Sequence, residues 1–379
     1  MTVYLDNSAT TRPCEEAIAA MARCMREEYF NPSALYAPAL IAQRMMRSCR
    51  EEILRILHAP GGSRVIFTSG GTEADNLAIL GSLSRRRPGR VLYSAGEHPA
   101  VKEACLQSGH EAFPIPYDQD GRVDLEKLAG LLDGDVRMIC CMQVNNETGA
   151  IQPLAEIARL RSQKCPAALF HVDAVQGFLR VPLDMQALQI TSVALSGHKI
   201  HGPKGIGALI TAPGVRVRPR QVGGGQEGDY RSGTENTPGI AGMLAAMNAF
   251  PRDHQMREMK LLLWERIKER IPEAIINGPD PADPALTAPH ILNVSLPPVR
   301  SETMLHALEG EGIYVGLGSA CSSHKQKVSA VLEAMHLPRP RMESALRFSL
   351  CPENTADEME AAADACLRQY RVLSKYQRR

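Results

Sequence analysis

Residues 194–207, ALSGHKIHGPKGIG, constrain the fold of this chain more than any other stretch. Apolar residues before and after it predict two buried strands that are joined by a short loop. The loop brings a hydroxyl, an imidazole and an amine together within four residues, Ser196, His198 and Lys199. Its glycines allow the backbone to turn tightly and a ligand to approach it closely. This loop is therefore a candidate binding site.

Lys199 has two interpretations at this position. It is a solvated loop lysine, as most lysines in loops are, or an amine that forms a Schiff base with the aldehyde of pyridoxal 5′-phosphate (PLP). The second interpretation requires an acid near the pyridine nitrogen of that cofactor, a phosphate-binding site and a group over its ring. Each of the three has a candidate upstream of Lys199.

Helix and strand patterns alternate along the first two thirds of the chain. Such alternation predicts a mostly parallel sheet that is covered by helices on both faces, which is an α/β fold. From about residue 257 a long helix, proline-rich connections and a further strand predict a second, smaller domain. A chain of 379 residues is long enough to bury two cores.

Composition excludes several classes of protein. The net charge is +1 with charges of both signs interspersed, so nothing indicates direct nucleic-acid binding. The chain has no run of eighteen apolar residues and opens with no signal-peptide pattern, so we expect a cytoplasmic protein that does not enter a membrane. Its ten cysteines include no C-x-x-C pair, which argues against a disulfide framework and a zinc site.

The candidate phosphate-binding site is residues 69–73, SGGTE, between a predicted strand and a predicted helix. Free N–H groups at a helix N-terminus, the positive end of the helix dipole and the Thr72 hydroxyl would together bind an anion. The alternative is an ordinary helix N-cap supplied by Ser69 or Thr72.

Two further strand ends carry candidates for the acid and the ring partner. Asp173 follows a buried strand, where a carboxylate needs a cation such as a protonated pyridine nitrogen; it could equally be the N-cap of a following helix. His98 follows another strand and could stack on a ring and move protons, or lie beside an N-cap. One strand–helix–strand unit would place Asp173 and Lys199 at neighbouring carboxyl ends, where open α/β sheets bind ligands.

The region of Cys321 differs from the other cysteine contexts. Glycine and serine lie on both sides of Cys321 and predict a flexible, exposed loop, whereas structural cysteines have apolar surroundings. His324, Lys325 and Lys327 would favour the thiolate, whose unperturbed pKa is about 8.5. We therefore expect Cys321 to be reactive.

Arg347 stands between apolar residues in a predicted strand. A partly buried arginine needs an anion, and its fork of donors suits a substrate carboxylate, although an internal ion pair with Asp or Glu is equally compatible. Asn145 and Asn146 end another strand, where their amides could bind a phenolate or carboxylate or could form a turn.

A series of motifs in this chain resembles the cysteine desulfurase family of PLP enzymes. They occur in the family's order, span essentially the whole chain and lie at 4–11, 67–73, 97–100, 145–147, 171–174, 196–205, 223–227, 231–236, 318–322 and 347–349. The resemblance implies PLP fold type I, which is aspartate aminotransferase-like. It implies a large domain at 15–256, and a smaller α+β domain formed by 1–14 together with 257–379.

The resemblance also implies roles for individual residues. Lys199 matches the Schiff-base lysine, and Asp173 matches the acid at the pyridine nitrogen. His98 matches the acid/base histidine over the ring, and Cys321 the nucleophile that becomes a persulfide. The other implied contacts are Gln176 with the phenolic oxygen, Gly71, Thr72, Ser196 and His198 with the phosphate, Thr234 with the phosphate of the second subunit, and Asn146 and Arg347 with the substrate carboxylate.

The activity implied is that of an L-cysteine desulfurase, a homodimer that releases alanine and passes sulfur from Cys321 to an acceptor such as an iron–sulfur scaffold or a tRNA-thiolation enzyme. The alternatives are a selenocysteine lyase, a related class V aminotransferase, and a non-catalytic sulfur-handling scaffold. Transamination needs no thiol, and a scaffold would not need Lys199, Asp173 and His98. No resident metal is implied, although Cys321 could share an iron–sulfur cluster transiently with a partner.

Two departures of the chain from the family pattern carry none of this chemistry. Phe30, Ala34 and Tyr36 replace the usual Gly, Ser and His around an Asn-Pro pair, and residues 228–229 replace a usual basic residue.

Overall fold

The computed structural model describes residues 2–83, 87–251, 255–318 and 328–376. Cys321, with the basic residues that follow it, lies outside these ranges, so the predictions of an exposed loop and a reactive thiol stay predictions. No helix in the described ranges is both long and apolar enough to cross a membrane.

A seven-stranded sheet forms the centre of the molecule. After the short N-terminal strand β1 (Val3–Leu5), its strands are β2 (Arg64–Thr68), β3 (Arg90–Ser94), β4 (Glu111–Ile115), β5 (Val136–Cys140), β6 (Leu169–Asp173), β7 (Ser192–Ser196) and β8 (Gly207–Thr211). The strand order is β2-β8-β7-β6-β5-β3-β4. Only β8 runs antiparallel to its neighbours, β2 and β7, and the other pairs are parallel. The predicted α/β fold with a mostly parallel sheet is confirmed.

Helices cover both faces of this sheet. The helices are α1 (Glu15–Arg26), α2 (Ala39–Ile56), α3 (Gly71–Ser82), α4 (Pro99–Leu106), α5 (Leu125–Leu131), α6 (Leu154–Lys164), α7 (Thr237–Ala249), α8 (Met256–Arg270), α9 (Ser301–Glu309), α10 (Ala330–Ala334), α11 (Arg339–Glu343) and α12 (Ala356–Leu373). Burial on both faces explains why the central strands are almost continuously apolar. The predicted helix between β6 and β7 is wrong, because turns connect these strands.

Alternation along β6 decides which side chains can reach the site. Phe170 and Val172 join the main apolar core on one face of the sheet. His171, which lies between them, points to the other face and contacts Asp75 of α3, with 3.1 Å between Nε2 and Oδ1. Asp173 shares the face of His171 because side chains alternate along a strand. The end of β6 therefore presents Asp173 on the side of α3.

The C-terminal part of the chain has its own core. β10 (Ile291–Ser295) pairs antiparallel with β12 (Ala345–Ser349) and with β9 (Ile275–Ile276), while β1 pairs parallel with β11 (Ile313–Val315). Side chains of β1, α8, α12 and these strands pack together in one cluster. The N-terminal strand thus packs with C-terminal elements. The bounds expected for the two domains stay a prediction.

Candidate active site

The segment that follows β1 crosses the loop after β7. The carbonyls of Ser8 and Ala9 accept hydrogen bonds from Nζ of Lys199, at 2.8 Å for Ala9. The Thr11 hydroxyl and N–H both donate to the carbonyl of His198, each at 3.0 Å. These contacts join the segment after β1 to the loop that carries His198 and Lys199.

Lys199 ends a single 3-10 turn that directly follows β7. Burial and, to a smaller extent, the charge of Arg347 lower the pKa of its amine to about 8, while the charges of Asp6 and Asp173 oppose the shift. A much larger fraction of this amine is neutral near pH 7 than of an exposed lysine, whose pKa is about 10.4. Neutral amines add to aldehydes, so Lys199 is suited to form a Schiff base.

Asp173 and His98 lie close enough to Lys199 for their charges to interact. Burial raises the pKa of the Asp173 carboxyl, while positive charge on His98 and Lys199 opposes this. Asp173 is 7% exposed, and its Oδ1 accepts from the N–H of Val175 at 2.9 Å. Since turns follow it, the alternative of a helix N-cap is wrong. Among the described residues no arginine or lysine forms an ion pair with this buried carboxylate.

His98 is itself the N-cap of α4. Its Nδ1 accepts from the N–H of Ala100 at 3.2 Å, so the proton of the neutral ring is on Nε2. Burial lowers the pKa of His98 below its usual value, the charge of Asp173 opposing and that of Lys199 adding to this. His98 is therefore neutral at physiological pH when no further charge acts on it.

The predicted phosphate-binding site is an open N-terminus. α3 begins at Gly71 with Gly70 as its N-cap, and no side chain caps it, so the alternative of an N-cap from Ser69 or Thr72 is wrong. A Cβ on Gly70 would lie 3.9 Å from Oγ of Ser196, and a Cβ on Gly71 would lie 2.8 Å from Val175. The glycine pair keeps the space beside Ser196 open, as an anion site requires. Thr72 is exposed at this N-terminus.

Three other predicted cofactor contacts surround this region. Nε2 of Gln176 donates to the carbonyl of Ser8 at 3.0 Å, the same oxygen that accepts from Lys199. Nδ1 of His198 lies 3.1 Å from the Thr10 hydroxyl, and burial lowers the pKa of His198 to about 4, so its ring is neutral. Thr234 lies exposed on a loop before α7.

Arg347 on β12 is 2% exposed and makes the internal ion pair that the sequence had left open. Its Nη2 lies 2.7 Å from Oδ1 of Asp6, and its Nη1 donates to the carbonyl of Asn146 at 2.9 Å. Its Nε is buried and has no hydrogen-bond partner in the described part of the chain. The hydrogen bonds to Asp6 and Asn146 thus leave donors of this guanidinium without a partner in the described ranges. Sequence reasoning missed Asp6, although it lies within the motif at 4–11.

The described residues fit PLP. They supply an amine that is readily neutral, a buried carboxylate that lacks a cation, and an uncapped helix N-terminus whose space a Cβ would fill. In the described ranges no group of three or more His, Cys, Asp and Glu side chains could hold a metal ion.

Comparison with known proteins covers almost the whole chain. Residues 3–362 match the aminotransferase class-V family. A cysteine desulfurase of Cereibacter sphaeroides is 38% identical over 387 residues, which is 99% of this chain and 98% of that protein. A solved NifS-like protein superposes with a TM-score of 0.88 at 32% identity, over 98% of this chain and 100% of the other. SspA, solved in complex with cysteine, superposes with a TM-score of 0.81 at 28% identity, over 93% of this chain and 100% of the other.

Proposed function

We propose that this chain, which belongs to the aminotransferase class-V family, is a PLP-dependent cysteine desulfurase that converts L-cysteine to alanine and retains the sulfur as a persulfide on Cys321. The observation that carries the proposal is the buried amine of Lys199 in the turn directly after β7. Burial lowers the pKa of this amine to about 8, and its charge interacts with that of Asp173. A solvated loop lysine would have neither that burial nor that neighbour.

Different residues around Lys199 would contact different parts of the cofactor. PLP, when bound, withdraws electrons from the Cα of the substrate and makes its proton acidic. The Asp173 carboxylate would keep the pyridine nitrogen protonated, because a buried anion favours a neighbouring positive charge. His98 would lie over the ring and Gln176 at its phenolic oxygen. The phosphate would bind at the open N-terminus of α3, in contact with Gly71, Thr72, Ser196 and His198.

The same chain residues account for the reaction of the substrate. Arg347 and Asn146 hold the carboxylate of L-cysteine, and the Lys199 amine takes the proton from its Cα. The Cys321 thiolate then attacks the sulfur of the substrate. An S–S bond forms and the Cβ–S bond breaks with its electron pair on Cβ. A proton added to Cβ and a proton returned to Cα, which Lys199 had deprotonated, give alanine. One thiol and one cysteine thus become one persulfide and one alanine, with no external oxidant.

Direct measurement of both products tests this function. Purified protein with bound PLP, L-cysteine and dithiothreitol should yield alanine and sulfide in equal amounts, since the dithiol reduces each persulfide. Protein treated with borohydride, which reduces the linkage between Lys199 and its cofactor, serves as the control and should be inactive. Formation of pyruvate without alanine, or no product at all, would contradict the proposal.

A homodimer is part of this proposal, with Thr234 of each subunit in contact with the phosphate of the other. If so, Thr234→Ala should weaken PLP retention about tenfold, the usual cost of losing one hydrogen bond to a charged group. The dissociation constant is measured by absorbance after dialysis, with Thr303→Ala on the exposed side of α9 as the control. Sedimentation that shows a fully active monomer at the assay concentration would exclude the shared site.

The acceptor of the sulfur is proposed as a protein, either an iron–sulfur scaffold or a tRNA-thiolation enzyme. Capture of proteins on the persulfide-loaded enzyme, compared with Cys321→Ala, tests it; identical capture by both forms would speak against an acceptor that reads the persulfide. The cytoplasmic location predicted from the sequence stays a prediction, and fractionation of cells would test it.

A further inference from the structure

Glu147 is a buried acid that the mechanism above does not use. It follows Asn146 in the loop after β5 and is 6% exposed. Its N–H donates to Oδ1 of Asn145 at 2.9 Å, and its carbonyl accepts from Nδ2 of Asn293 at 3.1 Å. The backbone of Glu147 is therefore fixed between the large sheet and β10.

The carboxylate of Glu147 contacts two residues that are distant from it in sequence. Its Oε2 accepts a hydrogen bond from the hydroxyl of Ser329, which is 8% exposed. The same oxygen lies so close to Gly318 that a Cβ there would collide with it. Ser329 is itself fixed, because its Oγ accepts from the N–H of Leu332 at 3.2 Å as the N-cap of α10.

Gly318 is the last described residue before the part of the chain that contains Cys321, and Ser329 is the second described residue after it. Two residues before Gly318, Gly316 pairs with Arg347 through both backbone hydrogen bonds, at 2.8 and 2.9 Å. One carboxyl oxygen of Glu147 thus contacts the chain at Gly318, shortly after β11, and again at Ser329, directly before α10.

The surroundings of the Glu147 side chain connect it to Arg347. Burial raises the pKa of Glu147 above its usual value, and the hydroxyl of Ser329 and the charge of Arg347 offset only part of that rise. Arg347 also binds the carbonyl of Asn146, the residue next to Glu147. The contacts of Glu147 are therefore continuous with those of the proposed substrate-carboxylate subsite.

We propose that Glu147 is a positioning residue for the thiol step, which holds Gly318 and Ser329 against the loop that carries Asn146. The proposal rests on the proposed role of Cys321 as the nucleophile. Glu147 touches neither substrate nor cofactor in this role. It fixes the two points from which the thiol is presented, so its loss should affect sulfur transfer and leave proton removal by Lys199 intact.

Two rates measured on the holoenzyme separate these steps. Alanine formation from L-cysteine requires Cys321, whereas exchange of the α-proton of L-alanine in D₂O requires Lys199 and PLP but no thiol. Glu147→Gln keeps the shape of the side chain and replaces its carboxyl group by an amide. We expect it to lower the first rate about tenfold, the order of effect of weakening one buried hydrogen bond, and to leave the second within about twofold.

A second variant guards against a folding defect. Ser329→Ala should also lower alanine formation selectively, and the double variant should be no slower than the slower single one, because both remove one contact. The control is Glu360→Gln on α12, whose carboxylate pairs with Arg266 and Arg270 at the surface. It should leave both rates unchanged.

The outcomes that overturn the proposal are distinct from those that overturn the function. If Glu147→Gln lowers both rates equally, the acid has a structural role or positions Asn146. If it lowers neither rate, the contact between Glu147 and Ser329 has no role in the reaction. The same follows if the effects of Glu147→Gln and Ser329→Ala on alanine formation multiply in the double variant. Cys321→Ala in the same two assays tests the underlying function. Retained alanine formation in that variant would remove Cys321 from the reaction whatever the result at Glu147.

Discussion

Lys199→Ala is expected to abolish alanine formation from L-cysteine and to remove the visible absorption of the lysine-bound cofactor. The variant loses the amine that links PLP and the base that takes the α-proton, and a positioned base alone contributes about 10²–10⁴-fold to a rate. In the described ranges no other lysine lies at the carboxyl ends of the sheet strands, and Lys204 lies beyond Pro203 in an exposed turn.

The measurement compares Lys199→Ala with Lys204→Ala, which should keep the wild-type spectrum and rate. Borohydride reduction followed by peptide mass analysis should place the cofactor on Lys199 in the wild type. Cofactor-free wild type should bind PLP at a rate that rises with pH up to about 8 and then levels, because the depressed pKa of Lys199 makes the reactive neutral amine predominant above that value. Full activity of Lys199→Ala would refute the PLP chemistry proposed for this chain.

The strand-end groups of the site could be predicted from the sequence alone. Lys199 and Asp173 each follow a short apolar run, and the alternation of strands with helices requires such runs to be neighbours in one sheet. Carboxyl ends of parallel strands then lie at one edge, whatever the detailed bounds of the elements. The structure places these ends together, although β6 and β7 are connected by turns rather than by a helix.

Contacts between distant segments could not be predicted in this way. Asp6 reaches Arg347 across 341 positions of the chain, and the carbonyl of Ser8 reaches Lys199 across 191. These contacts depend on where β1 packs, and no local pattern of residues near Lys199 encodes that position. For the same reason the sequence left Arg347 open between a substrate and an internal ion pair, whereas the structure shows the pair and a free Nε.

The two departures from the family pattern, at residues 30–36 and 228–229, lie near each other in the structure. Phe30 stacks on Tyr29 with 4.6 Å between ring centroids and meets Tyr36 edge-on at 5.9 Å. The chain between these rings and the turn at Gly228 line one cavity of about 770 Å³. In that turn Glu227 has a φ of 50° and binds the N–H of Phe67 on the edge strand β2. Stretches far apart in sequence thus border one surface feature beside β2.

Cys321→Ala should reduce alanine formation from L-cysteine by at least about a hundredfold, because the variant loses the nucleophile that accepts the sulfur. PLP binding through Lys199 and exchange of the α-proton should persist, since neither step needs a thiol. The control is Cys351→Ala: burial raises the pKa of the Cys351 thiol to about 12, so it is protonated and unreactive at neutral pH. That variant should retain the wild-type rate.

The substrate then separates a desulfurase from a selenocysteine lyase. Selenium leaves carbon more readily than sulfur does, so a lyase specialised for selenocysteine would keep its rate with that substrate when Cys321 is replaced, whereas its rate with L-cysteine would already be low. A desulfurase shows the opposite dependence, with a high rate on L-cysteine that disappears with the thiol. Wild type and Cys321→Ala are therefore compared with both substrates under the same reductant. Equal rates of alanine formation from L-cysteine by the two proteins would make Cys321 a bystander, and the persulfide route proposed here would have to be abandoned.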